Sequence, residues 1–490
     1  MINIKILNTL GLLIIFLGLS MLPSALWSIY YQEYNDMVAI LYSSLYSIIF
    51  GLLLFLTKYL IKNQSRVDLT SNDAFTIVTL GWILSAIFSS LPLYLSDYNI
   101  AFIDCFFESM SGLTTTGSTI LGSSTVAIES LSHGLLFWRS FTQFLGGMGI
   151  IVFTIALLPL LGIGGVQLFR AEVAGPTADK ITPRVKQTAN LLWSIYIGFV
   201  FVLTVILYAQ GMTFFDSLCH SFTTIATSGF STHTESIAYF NSPIIEWTII
   251  VFMLIAATNF TLHYIFLSQR KIDYFKDEEF KFYIFTFIII TLIIFMNTNY
   301  YHIYNWSIDS LRHSMFTTAS LLTTTGFTTV NYSLWPNLST MLIFILFFIG
   351  GTSGSTTGAL KIVRTILIFK YLFYEIRRLV HPNGVYNIKF GGNIIEENII
   401  KNTLGFYLFY IFIFILSGII FSSYNIDFIT SFAAAASSIG NIGPGLGAVG
   451  PADNWAFLPN QLKLLSIFLM LLGRLEIFTV MVLISRLFWK

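Results

Sequence analysis

Ten runs of mostly apolar residues recur along this 490-residue chain, at about 8–30, 38–61, 75–97, 134–162, 189–210, 243–268, 280–298, 338–374, 399–422 and 460–488. A helix needs roughly 20 such residues to cross the hydrocarbon of a bilayer. Lipid offers no hydrogen bonds to a backbone, so a chain of this kind must close them within its own helices. Composition agrees: Asp, Glu, Lys and Arg make up 10% of the chain and hydrophobic residues 55%. A soluble domain carries about 25% charged residues. A soluble enzyme, a disordered chain and a nucleic-acid binder are thereby excluded. Two cysteines, Cys105 and Cys219, cannot build a disulfide framework and have no metal-ligand spacing. The first run follows Lys5 and continues past Pro23 through Trp27, Tyr30 and Tyr31, which marks an uncleaved anchor rather than a secretory signal.

Lys and Arg set the orientation. With both termini and the segments 62–74, 163–188, 269–279 and 361–398 on the cytoplasmic side, 21 of the 25 basic residues, including those at adjoining helix ends, fall there. Arg139, Arg312, Lys463 and Arg474 fall elsewhere. The outer half holds twelve carboxylates against three basic residues, with Arg474 set aside as intramembrane. Such a surplus would attract cations.

Four outer segments share a pattern: an Asp, about three turns of moderately apolar sequence, then small hydroxyl residues and a glycine. They run from Asp104 to Gly117, Asp216 to Gly229, Asp309 to Gly326 and Asp427 to Gly440, with separations of 13, 13, 17 and 13 residues. A span, a half-length segment and a span, repeated four times, is a fold-level signal. Each unit crosses twice, so all four share one orientation and can surround a common axis. The expected fold is therefore an all-α polytopic membrane protein with four tandem helix–pore loop–helix repeats around one pore. The boundaries are an N-terminal helix pair over 1–68, then repeats over 69–170, 171–270, 271–380 and 381–490.

Segments too short to span are tolerated only when buried in protein or lining a water-filled cavity. The Asp is expected to cap each short helix, and the helix C-termini would point partial negative charge inward. Glycine lets the chain turn and present successive carbonyls. The oxygen-lined residues are then Thr115, Thr116 and Gly117; Thr227, Ser228 and Gly229; Thr324, Thr325 and Gly326; and Ser438, Ile439, Gly440 and Asn441. No carboxylate lies among them, so the cage suits K⁺ rather than Mg²⁺ or Ca²⁺, which call for carboxylate ligands.

At these residues the chain resembles the Trk, Ktr and HKT superfamily of K⁺ transporters, and within it the TrkH/TrkG type of membrane subunit. The likeness also rests on Trp138-Arg139, Gly146-Gly147-Met148-Gly149-Ile150, Leu158-Pro159-Leu160-Leu161-Gly162, Arg170-Ala171-Glu172, Gly175-Pro176 and Thr182-Pro183-Arg184. It extends to Gly350-Gly351-Thr352-Ser353-Gly354-Ser355-Thr356, Asn441-Ile442-Gly443-Pro444-Gly445 and Gly473-Arg474-Leu475-Glu476. The run 338–374 is too long for one pass at about 1.5 Å per residue, and its glycines at 350–358 predict an irregular intramembrane loop. The resemblance implies that this loop, with Gly350, Gly351, Thr352, Ser353, Gly354 and Ser355, is a gate, and that Arg474 lines the pore beneath the filter. It implies K⁺ as the transported ion, no organic cofactor, no enzyme activity and a bacterial inner-membrane location. It also implies a homodimer bound to a cytoplasmic ring of TrkA-type nucleotide-binding (RCK) subunits. The alternative is a Na⁺- or H⁺-coupled symporter, for which Glu476 is the candidate intramembrane carboxylate. Gly445, Gly447 and Gly450 match the dinucleotide spacing literally but follow no strand, so no nucleotide site is read there.

Overall fold

The computed structural model describes residues 4–60, 71–122, 126–156, 185–382, 384 and 386–484. The motifs expected at Leu158–Gly162, Arg170–Glu172, Gly175–Pro176 and Thr182–Arg184 lie outside the described residues. Helix dominates; the strands are a two-residue pair, Lys389–Phe390 with Asn393–Ile394. Among the described residues six helices are long and apolar enough to cross a membrane, over Lys5–Tyr30, Tyr34–Thr57, Asp73–Tyr94, Ala189–Ala209, Glu278–Tyr300 and Glu397–Ser422. The chain is an all-α polytopic membrane protein.

The first two long helices pack together where Gly11 faces Gly51. A Cβ at Gly11 would sit 2.6 Å from the Gly51 carbonyl oxygen, and one at Gly51 would sit 2.7 Å from that of Gly11. Small residues at a crossing point let two backbones touch, which is how helices hold together where lipid supplies no hydrophobic drive.

Four short helices follow the same plan: Phe102–Leu113, Phe214–Ile225, Ile308–Leu322 and Phe428–Gly440. Their inner turns are buried, down to the alanines 433–436 of the last one. The carboxylates at their starts differ from the expected caps. Only Asp427 caps its helix, accepting from the Thr430 N–H at 3.0 Å. Thr213 and Ser307 are the caps of the second and third. Asp104, Asp216 and Asp309 sit inside the first turn instead, where the positive end of the dipole favours them.

The helices that follow the short ones are also less regular than the apolar runs suggest. The run 243–268 bends by 96° between Pro243–Ala256 and Phe260–Gln269. Asn259 restarts the chain there, its side chain accepting from the Thr261 N–H at 2.8 Å. The run 338–374 breaks between Asn337–Leu346 and Ile362–Val380, and the run 460–488 breaks after Arg474, with Glu476 at φ 56°. Arg474 therefore closes a helix rather than sitting in its middle.

Candidate functional site

Each short helix ends in the same turn. The residue after the helix, or one beyond, adopts the left-handed conformation: Thr115 (φ 52°), Thr227 (53°), Thr324 (53°) and Asn441 (51°). The next N–H reaches back five residues: Thr116 to Ser111 O (2.9 Å), Ser228 to Thr223 O (3.0 Å), Thr325 to Ser320 O (2.8 Å) and Ile442 to Ser437 O (3.1 Å). This is the Schellman closure of a helix C-terminus. Threonine, β-branched, rarely adopts a left-handed φ, and such strain concentrates where function requires a particular backbone path. Asn is better suited to it.

The turn corrects the register of the fourth repeat. Asn441, Ile442 and Gly443 occupy the places of Thr115, Thr116 and Gly117. Gly440, expected as the fourth glycine, together with Ser438 and Ile439, belongs to the last helical turn. The physical reason is that the alanine-rich helix runs further than its sequence spacing suggested. The Gly440 carbonyl faces away and accepts from the Ala359 N–H at 2.8 Å.

Gly117, Gly229, Gly326 and Gly443 all have φ between 73° and 102° and together line one outer cavity of about 690 Å³, open mouth included. A Cβ on Gly117 would strike the Ser228 carbonyl, one on Gly229 the Thr325 carbonyl, and one on Gly326 the Ile442 carbonyl. One on Gly443 would lie 2.8 Å from the Thr116 carbonyl oxygen. Each glycine thus abuts the next repeat, and the fourth returns to the first. The loop ends form a closed ring.

Hydroxyls of the ring turn into the protein wall. Thr116 Oγ1 pairs with Thr114 Oγ1 (2.8 Å) and accepts from Asn441 Nδ2 (2.9 Å); Thr325 Oγ1 pairs with Thr323 Oγ1 (2.7 Å). Ser228 Oγ donates to Gln143 Oε1 at 2.7 Å, which also accepts from the Phe230 N–H (3.1 Å), while Gln143 Nε2 donates to the Ser228 carbonyl (3.0 Å). Gln143 is fully buried. It was invisible as a site residue in the sequence, one amide in an apolar run.

Buried ion pairs brace the ring from outside. Arg139 Nε donates to Glu108 (2.6 Å) and Nη1 to the Ser231 carbonyl (2.7 Å), so one guanidinium joins the first two repeats. Arg312 spans Glu246 (2.8 Å) and Asp309, and Lys463 meets Asp104 (2.5 Å). All three outer basic residues are therefore partnered, and Asp453 is the acidic residue lining the cavity. Further out, Glu129 joins the outer loops by accepting from the Thr234 N–H (2.5 Å) and hydroxyl (2.7 Å). Partial burial works against its charge, yet those bonds outweigh it and hold the carboxyl below the usual glutamate range.

Beneath the ring lies the irregular segment 350–358. Gly358 N–H donates to Thr324 Oγ1 (2.8 Å), and Thr227 Oγ1 donates to Thr356 Oγ1 (3.2 Å), so two of the left-handed threonines hold the loop directly. Thr352 donates twice to the Ala257 carbonyl at the helix bend, both bonds at 3.0 Å. Arg474 Nη1 donates to the Thr356 carbonyl at 2.8 Å, while its Nε and Nη2 have no hydrogen-bond partner among the described residues. Two charged residues, Glu279 buried and Lys361 half-buried, clamp the loop from below. Glu279 accepts from Ser353 N–H (2.7 Å), Ser353 Oγ (3.1 Å) and Val363 N–H (3.2 Å). Lys361 Nζ donates to the Thr357 carbonyl at 2.6 Å. Neither stood out in the sequence beyond its charge. Gly350, Gly351, Thr352, Ser353, Gly354 and Ser355 all lie in this clamped segment.

A closed ring of four short-helix ends over a clamped irregular segment belongs to the class of all-α polytopic membrane proteins built from repeated units. A family model described as a cation transport protein, TrkH, matches residues 39–488. The chain belongs to the TrkH family. It is 41% identical to the Trk system potassium uptake protein TrkH of Salmonella typhimurium, over 88% of both chains. It is 38% identical to that of Vibrio parahaemolyticus over 99% of both, and 36% identical to TrkG of Escherichia coli over 98% of this chain and 97% of that one. The crystal structure of the potassium transporter TrkH from Vibrio parahaemolyticus superposes with a TM-score of 0.90 over the whole of both chains, at 36% identity.

Proposed function

We propose that this chain is the membrane subunit of a potassium uptake system and conducts K⁺ down its electrochemical gradient through the ring. The single observation that carries this reading is the cyclic abutment of Gly117, Gly229, Gly326 and Gly443, which sets one loop end from each of four repeats around one cavity. Uncharged oxygens at close quarters replace the shell of a weakly hydrated monovalent ion. Thr115, Thr227, Thr324 and Asn441 form the floor of this filter. The names of the relatives, all potassium uptake proteins, support K⁺ as the ion.

The 350–358 loop acts as the gate, closed while Arg474, Lys361, Glu279, Thr227 and Thr324 hold it. Opening withdraws it from beneath the filter under control of a TrkA-type nucleotide-binding ring on the cytoplasmic side. The protein works as a homodimer in the bacterial inner membrane with both termini in the cytoplasm, the orientation that places most basic residues inside. A second reading, a Na⁺- or H⁺-coupled symporter, draws on Glu279, a buried carboxylate in contact with the gate loop. Glu476, the carboxylate expected for that role, instead pairs with Arg364 at 2.9 Å.

Reconstitution in vesicles carrying a K⁺ gradient alone, without Na⁺ or a pH difference, tests the reading. Rapid K⁺ flux is the expected outcome. Flux that requires Na⁺ or a proton gradient would replace the channel mechanism with coupled transport.

A further inference from the structure

The bend at 257–259 encloses a second cavity, away from the ion path. Leu254 and Ile255 before the bend, and Phe266 and Leu267 after it, line a space of about 950 Å³, open mouth included. Phe199 and Ile284 close its sides. His263 adds a polar group, but its ring nitrogens are engaged with Tyr274 Oη (2.8 Å) and the Ile255 carbonyl (2.9 Å). What remains is a hydrocarbon-lined slot in a protein surrounded by lipid.

The stretch of chain between Leu267 and Tyr274, both of which line the slot, is different in kind. The turn that follows Gln269 exposes Ile272 (62%) and Phe275 (71%) beside Arg270 and Lys271. Neither cation has an ion-pair partner among the described residues, whereas Lys276 pairs with Asp273 at 2.7 Å. Exposed apolar side chains interleaved with free cations are the pattern of a segment lying at headgroup level, and basic pockets between membrane helices recognise anionic lipid.

We propose that this elbow is a binding site for an anionic phospholipid, with an acyl chain in the slot and the phosphate held by Arg270 and Lys271. The bend also touches the gate loop: the Ala257 carbonyl accepts from Thr352, and Phe260 N–H donates to the Gly354 carbonyl (3.2 Å). A chain wedged between the two arms fixes the elbow, and through those bonds the loop; this regulatory half rests on reading 350–358 as the gate. Lipid occupancy and K⁺ flux are then linked.

Native mass spectrometry of the purified protein, titrated with phosphatidylglycerol or with phosphatidylcholine of the same acyl chains, tests the site. One saturable phosphatidylglycerol adduct per chain is expected, at concentrations where phosphatidylcholine gives none. The double variant Arg270→Gln/Lys271→Gln should weaken it roughly thirtyfold, the effect of removing two cations at a membrane surface. Leu267→Trp, at an exposed lining position, should weaken it with the charges intact. Equal adducts from both lipids, or adducts indifferent to both variants, would overturn the site. In vesicles, phosphatidylglycerol should change K⁺ flux of the unaltered protein and not of the double variant; binding without any change in flux would overturn the regulatory half. Specific binding with no K⁺ flux in any lipid would support the site and count against the conduction reading instead.

Discussion

Arg474→Ala tests the gate most sharply. In the structure this side chain makes one hydrogen bond, from Nη1 to the Thr356 carbonyl at 2.8 Å, deep in the protein. A hydrogen bond from a charged donor is worth about 2 kcal/mol net. If the bond exists only while the loop sits beneath the filter, its loss shifts the closed-to-open ratio by about thirtyfold. The substitution also removes a positive charge from the route of a cation, which acts in the same direction. Single-channel recording in planar bilayers separates the two contributions: loss of the bond shortens closed intervals, and loss of the charge raises unitary current. Arg474→Lys keeps the charge and isolates the first. The reasoning fails if Arg474→Ala, still selective for K⁺ and hence still folded, opens no more often and carries no more current than the parent.

Other substitutions reach different parts of the site. Gln143→Leu strands the Ser228 carbonyl and the Phe230 N–H, while the Ser228 hydroxyl keeps the Thr223 carbonyl at 3.1 Å; at about 1 kcal/mol each the cost is about 2 kcal/mol, and the K⁺/Na⁺ permeability ratio from bi-ionic reversal potentials should fall at least about tenfold. An unchanged ratio would detach Gln143 from selectivity. Asp in place of Gly229 puts a side chain where the Thr325 carbonyl stands and should abolish discrimination; a variant that still prefers K⁺ over Na⁺ would remove Gly229 from the filter. Glu279→Gln replaces an acceptor of three hydrogen bonds by a weaker, neutral one, and should raise flux in vesicles by about tenfold through a loosened loop. Flux that instead disappears with K⁺ alone would favour proton coupling through Glu279.

Much of this architecture was legible because membranes leave few choices. Apolar run length located six helices long enough to span among the described residues, while the runs at 243–268, 338–374 and 460–488 proved bent or broken; the recurrence of Asp, short stretch and glycine located the four short helices. The glycine-rich run at 350–358 announced an irregular loop inside an overlong span. What escaped was set by tertiary contact. The fourth repeat carries no threonine at the left-handed position, so its register could not be read from the Thr-x-Gly pattern; Asn441 and Gly443 emerge only from the turn geometry. The bend at 257–259 has no proline or glycine to announce it, since Ala257, Thr258 and Asn259 read as a polar flaw in an apolar run. It exists because Thr352 of the 350–358 segment donates to the Ala257 carbonyl and Asn259 caps the outgoing helix. Gln143 and Glu279 acquire their roles from partners 74 to 87 residues away, Ser353 for Glu279 and Phe230 for Gln143, Glu108 from Arg139, 31 residues away, and Lys361 from Thr357, 4 residues off. No local spacing encodes the longer of those meetings.

The resting place of a monovalent cation decides whether the ring conducts. Crystals soaked in Rb⁺ or Tl⁺ give an anomalous signal that locates such an ion directly. A peak is expected on the axis, enclosed by the backbone oxygens of Thr116, Ser228, Thr325 and Ile442 and the glycines that follow them. A ring without a peak, with the signal gathered at outer carboxylates such as Asp453, would contradict it.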